Sequence, residues 1–305
     1  MQSFRCEPVS IIITTHKGSN TIVRAVNSVM EQDYPNIEII VIDDNGKGSI
    51  EQIETEKALH KYIVEGSILY HPHEINRNGS AARNTGIAIS TGEYIGLLDD
   101  DDIYLPGKIT KSIEALSKLS DEWGAVYTDV IIDYGDRGRY LNRYHREGKI
   151  VFDMLAHTIF MNPSVIIMRK KAISQIGGFD ETFLRHQDWE FNARFADEFK
   201  IAHVGIVGSV YNCQVKRNFN PSATKAYRDY YIKKMKPIIQ KLTILQQRVI
   251  YSRNAIDIVG FHFNSYKECR NISLSWGEKI DYIAYCSAVV LTVLERVRTK
   301  MSKQD

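Results

Sequence analysis

Short apolar runs separated by helical patterns dominate the first 135 residues of the chain. Residues 9–14 (VSIIIT) and 37–42 (IEIIVI) are compact and rich in β-branched side chains, which is typical of strands buried on both faces. Between them, residues 20–32 repeat apolar side chains at helical spacing, and Pro35 stops that helix. The pattern therefore predicts a strand, a helix and a second buried strand.

The same alternation continues along the chain. Further strands are predicted at 67–70, 93–98 and 124–132, and helices at 50–60, 80–90 and 106–119. A repeat of roughly 25–30 residues predicts βαβ crossovers and an α/β fold, a mostly parallel sheet flanked by helices. The small side chains at 80–90 would let that helix pack close to the sheet.

After residue 135 the pattern changes. The sequence predicts a turn at 135–139, a strand at 164–168, helices at 170–176 and 188–195, and only helices from about 226. We therefore divide the chain into a domain over 1–225 and a helical C-terminal extension over 226–305.

Composition adds a charge asymmetry to this picture. The 305 residues are 44% hydrophobic and 25% charged, as in ordinary globular proteins. Residues 226–305 hold fourteen Lys and Arg against seven Asp and Glu, a charge of +7, so a net charge of +2 leaves −5 for residues 1–225. A basic extension on an acidic body predicts two different roles. The net charge argues neither for nor against a nucleic-acid partner, and none is expected.

Cysteine usage and apolar stretches bear on the compartment. Cys6, Cys213, Cys269 and Cys286 form no CxxC pair, so we expect free thiols in a reducing compartment. The N-terminus lacks the apolar core of a signal peptide, and residues 282–294 are too short to span a bilayer. We expect a cytoplasmic location.

Polar residues stand where three predicted strands end, at 14–15, 43–44 and 99–102. Parallel sheets bind ligands beyond the carboxyl ends of their strands. The row DDDD at 99–102 brings together carboxylates that repel one another, and Mg²⁺ or Mn²⁺ neutralises such a cluster while holding substrate phosphates. The alternative is a solvated acidic turn before the helix near Pro106. Two acidic strand ends in one sheet favour a common crevice.

Six motifs in order carry a resemblance to a known family. VSIIITTHK, IIVIDDNG, NRNGSAARNTGI, GEYIGLLDDDDIYLP, GGFDE and RHQDWEF resemble glycosyltransferase family two, with the GT-A nucleotide-sugar fold, over residues 8 to about 215. The resemblance implies that 1–225 is a GT-A catalytic domain. Its nucleotide-sugar half would be about 1–133 and its acceptor half about 134–225.

The resemblance assigns roles to the aspartate row. Asp99 and Asp101 match the family's DxD motif, which implies that Asp101 ligates the Mn²⁺ or Mg²⁺ that bridges the diphosphate. Asp99 would face the ribose or the water shell of the metal, and Asp100 is placed with the nucleotide as well. A shifted register would exchange these roles with Asp100 and Asp102. A cation there would stabilise the negative charge of the departing nucleoside diphosphate.

The resemblance also implies a nucleoside site at the other strand ends. Asp44 matches the position that hydrogen-bonds uracil, with Asp43 beside it, and a strand-ending turn is the alternative for both. Thr14 and Thr15 match residues that flank the nucleoside. Arg83 matches an arginine near the diphosphate, with a surface ion pair as its alternative.

The motif RHQDWEF supplies a second carboxylate. By resemblance Asp188 is the general base that takes the proton of the acceptor hydroxyl, and direct displacement with one base inverts the anomeric configuration. Gln187 stands where the family usually has Glu. Glu190 is the alternative base, and an N-cap is the alternative role of Asp188.

Three further contacts to the donor or acceptor are expected around this motif. His186 would approach the diphosphate or the acceptor, or be a loop histidine without a substrate role. Trp189 is a core anchor or a sugar platform. Asp180, in GGFDE, would contact hydroxyls of the donor sugar.

These expectations combine into one function. The resemblance implies an inverting, metal-dependent glycosyltransferase that moves a hexose or N-acetylhexosamine from a UDP-sugar to a saccharide acceptor, lipid-linked, in bacterial surface polysaccharide or O-antigen synthesis. A dTDP- or GDP-sugar stays open as the donor. The alternatives are a nucleotidyltransferase, whose phosphate loop TTHKGSN matches poorly, and a non-catalytic nucleotide-sugar-binding module.

Three interpretations of the basic extension are open. Residues 282–294, followed by Arg296, Arg298, Lys300 and Lys303, could lie on the anionic inner face of the plasma membrane. The helices could instead pack on the catalytic domain with a solvated charged face. Oligomerisation through the extension is the third.

Overall fold

The structure is a computed structural model that describes residues 7–213, 221–259, 265–301 and 303–304. The side chains at 221–222 and from 295 onward lie outside the description. Predictions about Cys6 and about the basic side chains of Arg296, Arg298, Lys300 and Lys303 therefore fall outside the described residues.

The N-terminal half is built of alternating strands and helices, as predicted. Its elements are β1 (Val9–Thr15), α1 (Ile22–Met30), β2 (Ile37–Asp43), α2 (Ile50–Val64), β3 (Leu69–Pro72), α3 (Gly79–Ile89) and β4 (Tyr94–Asp99). The strands lie in the order β3-β2-β1-β4, and all three pairings are parallel. All of their carboxyl ends therefore meet at one edge of the sheet.

The second half extends the same sheet with antiparallel strands. Its elements are β5 (Ile103–Tyr104), α4 (Lys108–Leu116), β6 (Trp123–Asp133), β7 (Arg139–Asn142), α5 (Val151–Leu155), β8 (Ile166–Arg169), α6 (Lys170–Ile176), α7 (Gln187–Glu198) and β9 (Lys200–Asn212). β8 lies antiparallel between β4 and β6, and β9 pairs with β6 in parallel and with β5 in antiparallel orientation.

The close packing of α3 on the sheet depends on a glycine. A Cβ placed on Gly86 would lie 2.4 Å from Cγ2 of Ile12, so any larger residue would push the helix away from β1. Asn78 caps this helix, its side-chain oxygen accepting the backbone N–H of Ser80 at 2.9 Å. The predicted close approach of this small-residue helix is thereby confirmed, and it places Arg83 beside the end of β4.

The C-terminal helices begin earlier than predicted and share the core of the rest. They are α8 (Pro221–Ile239), α9 (Ile244–Val259), α10 (Ser265–Ser275) and α11 (Tyr282–Met301), and a short strand, β10 (Lys303–Gln304), pairs with β7. Tyr231 and Met235 of α8 are buried in one hydrophobic cluster with Phe179 and Phe191. Within the described residues, no helix combines the length and apolarity that crossing a bilayer requires. The division at residue 225 stays a prediction.

Candidate active site

The sheet register brings the predicted strand-end residues level with one another. Thr15 of β1 lies opposite Asp43 of β2, and Thr14 lies opposite Asp99 of β4. The side chains of Thr14 and Asp99 are half-buried at this edge, whereas Thr15 is 2% exposed. One short stretch of sheet edge therefore carries residues from all three strand-end groups.

The two aspartates after β2 have different surroundings. Asp43 is fully buried, and it accepts hydrogen bonds from Asn45 on Oδ1 and from the Tyr70 hydroxyl on Oδ2 at 2.7 Å. Burial raises the pKa of Asp43. Asp44 binds His73 Nδ1 at 2.7 Å through Oδ1, and no hydrogen bond to its Oδ2 occurs among the described residues. Asp43 therefore shapes the loop, and Asp44 retains an acceptor for a ligand.

Asp100 packs inward, over the loop between β1 and α1. A Cβ placed on Gly18 would lie 1.8 Å from Oδ2 of Asp100, so only glycine leaves room for this carboxyl group. Burial raises the pKa of Asp100 to about 7, and the negative charges of Asp101 and Asp99 add to the shift. Thr15 Oγ1 and Asp100 Oδ2 are buried and make no hydrogen bond among the described residues, so both lie beneath the sheet edge and not at its surface.

The last two aspartates of the row also differ in burial, because Asp102 faces the core and Asp101 is half-buried. Asp102 is 1% exposed and accepts hydrogen bonds from Asn162 Nδ2 at 3.1 Å and from the backbone N–H of Asn212 at 2.8 Å. It lies near buried Lys108, whose pKa burial lowers to about 7. Asp101 is half-buried, and its carbonyl oxygen accepts a hydrogen bond from Arg24. Asp102 therefore ties the aspartate row to the core.

A hydrogen-bonded chain connects the strand edge to α7. Arg83 donates from Nη2 to Oδ1 of Asp99 at 2.8 Å and from Nη1 to Oε1 of Gln187 at 3.3 Å. Gln187 in turn donates to Asn78 Oδ1 at 3.2 Å and to the carbonyl of Phe183 at 2.9 Å. Arg83 is 9% exposed, so its guanidinium is held in one orientation between the two halves of the site.

Asp188 lies in the first turn of α7, next to the hydrogen-bonded series that runs from Asp99 through Arg83 to Gln187. His186 precedes the helix with φ 61°, a left-handed conformation that costs free energy outside glycine and is concentrated at functional sites. Burial raises the pKa of Asp188 to about 6, the positive charge of Arg83 opposes that shift, and the negative charge of Asp99 adds to it. A carboxylate with this pKa can accept a proton near neutral pH.

Trp189 is held between two histidines and an arginine. Its ring stacks on His186 with the centroids 4.1 Å apart, the tilted ring of His157 lies 3.9 Å away, and the Arg228 guanidinium lies 4.5 Å from its centroid. Arg228 also donates to His157 Nε2 at 2.9 Å and to Asn254 Oδ1 at 2.8 Å. Burial and the charge of Arg228 lower the pKa of His186 to about 3, so its ring is neutral.

These residues line one cleft of about 550 Å³. Six of its twelve lining residues are Arg83, Asp99, His186, Gln187, Asp188 and Trp189. Asp180 is not among the twelve, because its Oδ2 binds Lys234 of α8 at 2.8 Å and its Oδ1 binds the backbone of Thr182. Glu190 is 2% exposed and paired with Arg194, so it faces the core and not the cleft.

Several lining residues carry no signal in the sequence. Phe160 and Asn162 come from the segment between α5 and β8, and Tyr211 comes from the end of β9. Arg228 lies outside every motif, and nothing in the helical pattern of α8 distinguishes it from solvent-facing basic residues.

The chain is similar to known proteins in sequence and in fold. The family model described as Glycosyl transferase family 2 matches residues 10–177. An uncharacterized glycosyltransferase of Rickettsia typhi is 24% identical over 298 residues, 95% of this chain and 91% of that protein. AmsB of Erwinia amylovora, an amylovoran biosynthesis glycosyltransferase, is 25% identical over 237 residues, 75% of this chain and 77% of that protein.

Other relatives are much longer than this chain. An uncharacterized glycosyltransferase of Rickettsia conorii is 30% identical over 190 residues, which are 60% of this chain and 30% of that protein. Among solved structures, S. aureus TarS 1-349 in complex with UDP-GlcNAc aligns with a TM-score of 0.65 at 13% identity, covering 95% of this chain and 90% of that one. The mannosyltransferase PcManGT from Pyrobaculum calidifontis, in complex with GDP-Man and Mn²⁺, aligns with a TM-score of 0.60 at 13% identity, covering 97% and 84%. These likenesses confirm the predicted GT-A fold.

Proposed function

Because the chain belongs to glycosyl transferase family 2, we propose that it transfers a sugar from a UDP-sugar to a saccharide acceptor with inversion at the anomeric carbon. The observation that carries this proposal is the chain of contacts Asp99–Arg83–Gln187, which brings the DxD edge of the sheet next to Asp188. Arg83 and Asp99, on the side assigned to the donor, thereby line one cleft with Asp188, the proposed general base.

The nucleotide would lie across the ends of β1, β2 and β4. Asp44 would accept the N3 proton of uracil with its second oxygen, with Thr14 flanking the nucleoside. Arg83 would pair with diphosphate oxygens, for which a guanidinium has suitable donors. Asp43, Thr15 and Asp100 would act from beneath, as supports for these contacts. UDP-GlcNAc bound to TarS, a structural neighbour, supports a nucleotide-sugar donor.

Asp101 is the residue we assign to a divalent cation. Within the part of the chain that the structure describes, no group of three or more His, Cys, Asp or Glu side chains converges on one point. This fits Mg²⁺ or Mn²⁺, which proteins commonly hold with one or two carboxylates plus substrate phosphates. When bound, the cation would neutralise charge on the departing diphosphate, and the Mn²⁺ in PcManGT supports such a role.

Asp188 would then carry out the proton transfer. With a pKa of about 6 it is ionised at neutral pH, yet basic enough to take the proton of the attacking hydroxyl. Arg83 and Gln187 would hold it in place, and neutral His186 adds no competing charge. Attack from the side of Asp188, opposite the departing diphosphate, would convert an α-linked donor into a β-linked product.

The acceptor and its location complete the proposal. AmsB is named for amylovoran biosynthesis, which supports a saccharide acceptor in bacterial surface polysaccharide or O-antigen synthesis. A lipid-linked acceptor would place the protein at the inner face of the plasma membrane. Support comes from α9 and α11, where exposed Leu245, Ile283 and Val290 border an apolar groove of about 610 Å³ in the basic extension.

The first experiment is UDP binding by calorimetry with and without Mn²⁺, for the native chain, Asp101→Ala and Asp102→Asn. We expect metal-dependent binding that Asp101→Ala weakens at least tenfold, about 1.4 kcal/mol. Asp102→Asn should lower thermal stability while metal-dependent binding persists, because Asp102 is buried in structural hydrogen bonds. Unchanged binding by Asp101→Ala would move the metal to another carboxylate. Absence of UDP binding under all conditions would reject the uridine donor.

A further inference from the structure

A second, smaller pocket lies behind Trp189. Its volume is about 130 Å³, and it shares Phe160, Asn162, Asp188 and Trp189 with the cleft. Roughly 10–15 Å³ by this measure holds one water molecule, so the pocket has room for a substituent of several non-hydrogen atoms. The cleft next to it, at about 550 Å³, is the larger space. The small pocket is therefore suited to a group that projects from a ligand held in the cleft.

About half of the pocket wall is apolar. Met154, Ile159 and Met161 are each at most 6% exposed, and the half-buried ring of Phe160 completes this wall. Methionine side chains are flexible and adapt their shape to an apolar neighbour. Such a surface favours a methyl group over a hydroxyl, which would lose its hydrogen bonds to water there.

One polar atom of the pocket is left without a partner. Asn162 is 4% exposed, and its Nδ2 donates to Asp102, but its Oδ1 has no hydrogen bond among the described residues. Asn192 Nδ2 donates to the carbonyl of Met161 at 2.7 Å, and no hydrogen bond from it to Asn162 occurs among the described residues. A buried acceptor without a partner is costly, and a ligand N–H would satisfy it.

Charge in the pocket argues against an anionic or cationic ligand group. Burial, together with the charges of Arg228 and Arg253, lowers the pKa of His157 well below its usual range, so this side chain is neutral. Asp188 at the boundary with the cleft would repel a carboxylate or phosphate. A cationic ligand group would pair with Asp188 and prevent this carboxylate from accepting a proton.

We propose that this pocket binds the acetamido substituent of a sugar whose ring lies in the cleft. The methyl group would pack on the apolar wall and the amide N–H would donate to Asn162 Oδ1. A sugar hydroxyl offers no methyl, and a deoxy methyl group offers no N–H. This inference rests on the proposed function, and the acetamido group could belong to the donor or to the acceptor.

The test compares matched sugars on the native chain in the presence of Mg²⁺, which is diamagnetic and therefore compatible with NMR. In the donor arm, calorimetry measures UDP, UDP-GlcNAc and UDP-glucose. In the acceptor arm, with UDP added, saturation-transfer NMR and titration measure the methyl β-glycosides of N-acetylglucosamine and glucose. We expect the acetamido sugar to bind at least about tenfold more tightly in one arm, which identifies the source of the group. If it is the acceptor arm, the acetyl methyl protons should receive the strongest saturation.

A pocket-filling variant tests the location. Ile159→Phe should remove the preference in that arm while UDP affinity stays unchanged, and Ile244→Phe, at a position 67% exposed, should keep both. If Ile159→Phe does not fold, the comparison of acetamido and hydroxyl sugars on the native chain still tests the proposal. Two results would refute the pocket assignment and leave the proposed function standing. One is normal UDP binding with no acetamido preference in either arm. The other is a preference that persists in a folded Ile159→Phe chain. A chain that binds no UDP refutes the proposed function, and the pocket assignment falls with it.

Discussion

At the scale of single residues, Asp188 carries a free-energy cost that its proposed role explains. Burial raises its pKa to about 6, so the folded chain holds this proton more tightly than the unfolded chain does. A raised pKa contributes stability below the unfolded value of about 4, and that contribution is lost as pH rises through about 6. Ionised Asp188 thus opposes folding at neutral pH, where catalysis by a general base requires it.

We therefore expect Asp188→Asn to lower kcat by about 10²–10⁴-fold without lowering thermal stability at pH 8. In the native chain kcat/KM should rise with pH up to about 6 and then level off. Asp197→Asn is the matched control, because Asp197 lies on the same helix and pairs with Lys241 at the surface. Turnover by Asp188→Asn at the native rate would assign the base elsewhere.

The four consecutive aspartates show how far sequence reasoning reaches at this scale. Their position at the end of a buried strand could be predicted, since apolar residues precede them and the βαβ repeat fixes the direction of the strand. The direction of each side chain could not, because Asp100 turns toward Gly18 and Asp102 toward Asn162 through contacts formed only in the folded chain. Spacing alone therefore could not decide whether Asp100 and Asp102 face the ligand or the core.

At the scale of elements, the strands with compact apolar runs were predictable and β9 was not. Its 13 residues, KIAHVGIVGSVYN, include Gly205 at φ +75° and Gly208, which interrupt the alternation that marks a strand. The pairing of β9 with β6 has three register shifts, so tertiary contacts and not local pattern define it. Tyr211 of the cleft was missed for the same reason.

The element with the most consequence for the site is α8, through Arg228. This guanidinium is 2% exposed, lies over Trp189 and donates to His157 and Asn254. Arg228→Met would remove the charge and leave those partners without a donor. We expect it to cost about 1–3 kcal/mol of stability, because the buried acceptors of His157 and Asn254 would lose their donor.

The same variant should report on catalysis. Without Arg228, Trp189 and its neighbour Asp188 lose their support, so kcat should fall while the Kd for UDP changes little. Lys225→Met is the control one turn earlier on α8, where the pair with Asp229 is exposed and contributes at most about 1 kcal/mol. Thermal unfolding and steady-state kinetics measure both effects. Native kcat in a folded Arg228→Met chain would separate α8 from the chemistry.

At the scale of the whole molecule, the extension gives the protein a surface unlike the rest. Exposed apolar side chains of α9 and α11 surround an apolar groove, while residues 226–305 carry a charge of +7. Contiguous exposed apolar surface marks an interaction site, and excess basic charge favours an anionic partner. An anionic lipid surface satisfies both properties, with each nearby Lys or Arg contributing about 1 kcal/mol.

We therefore expect the chain to co-sediment with vesicles that contain anionic lipid and to dissociate from them as salt rises, because screening weakens the attraction. Ile283→Asp should abolish binding, since it places a charge on a side chain that is 72% exposed beside the groove. Val64→Asp is the matched control, with 71% exposure at the end of α2. If both variants lose vesicle binding equally, the change in net charge and not the groove is responsible. If the native chain binds neutral vesicles as well, electrostatic attraction is not required for binding. If Ile283→Asp instead converts a dimer into a monomer without changing lipid binding, the groove joins two copies of the chain.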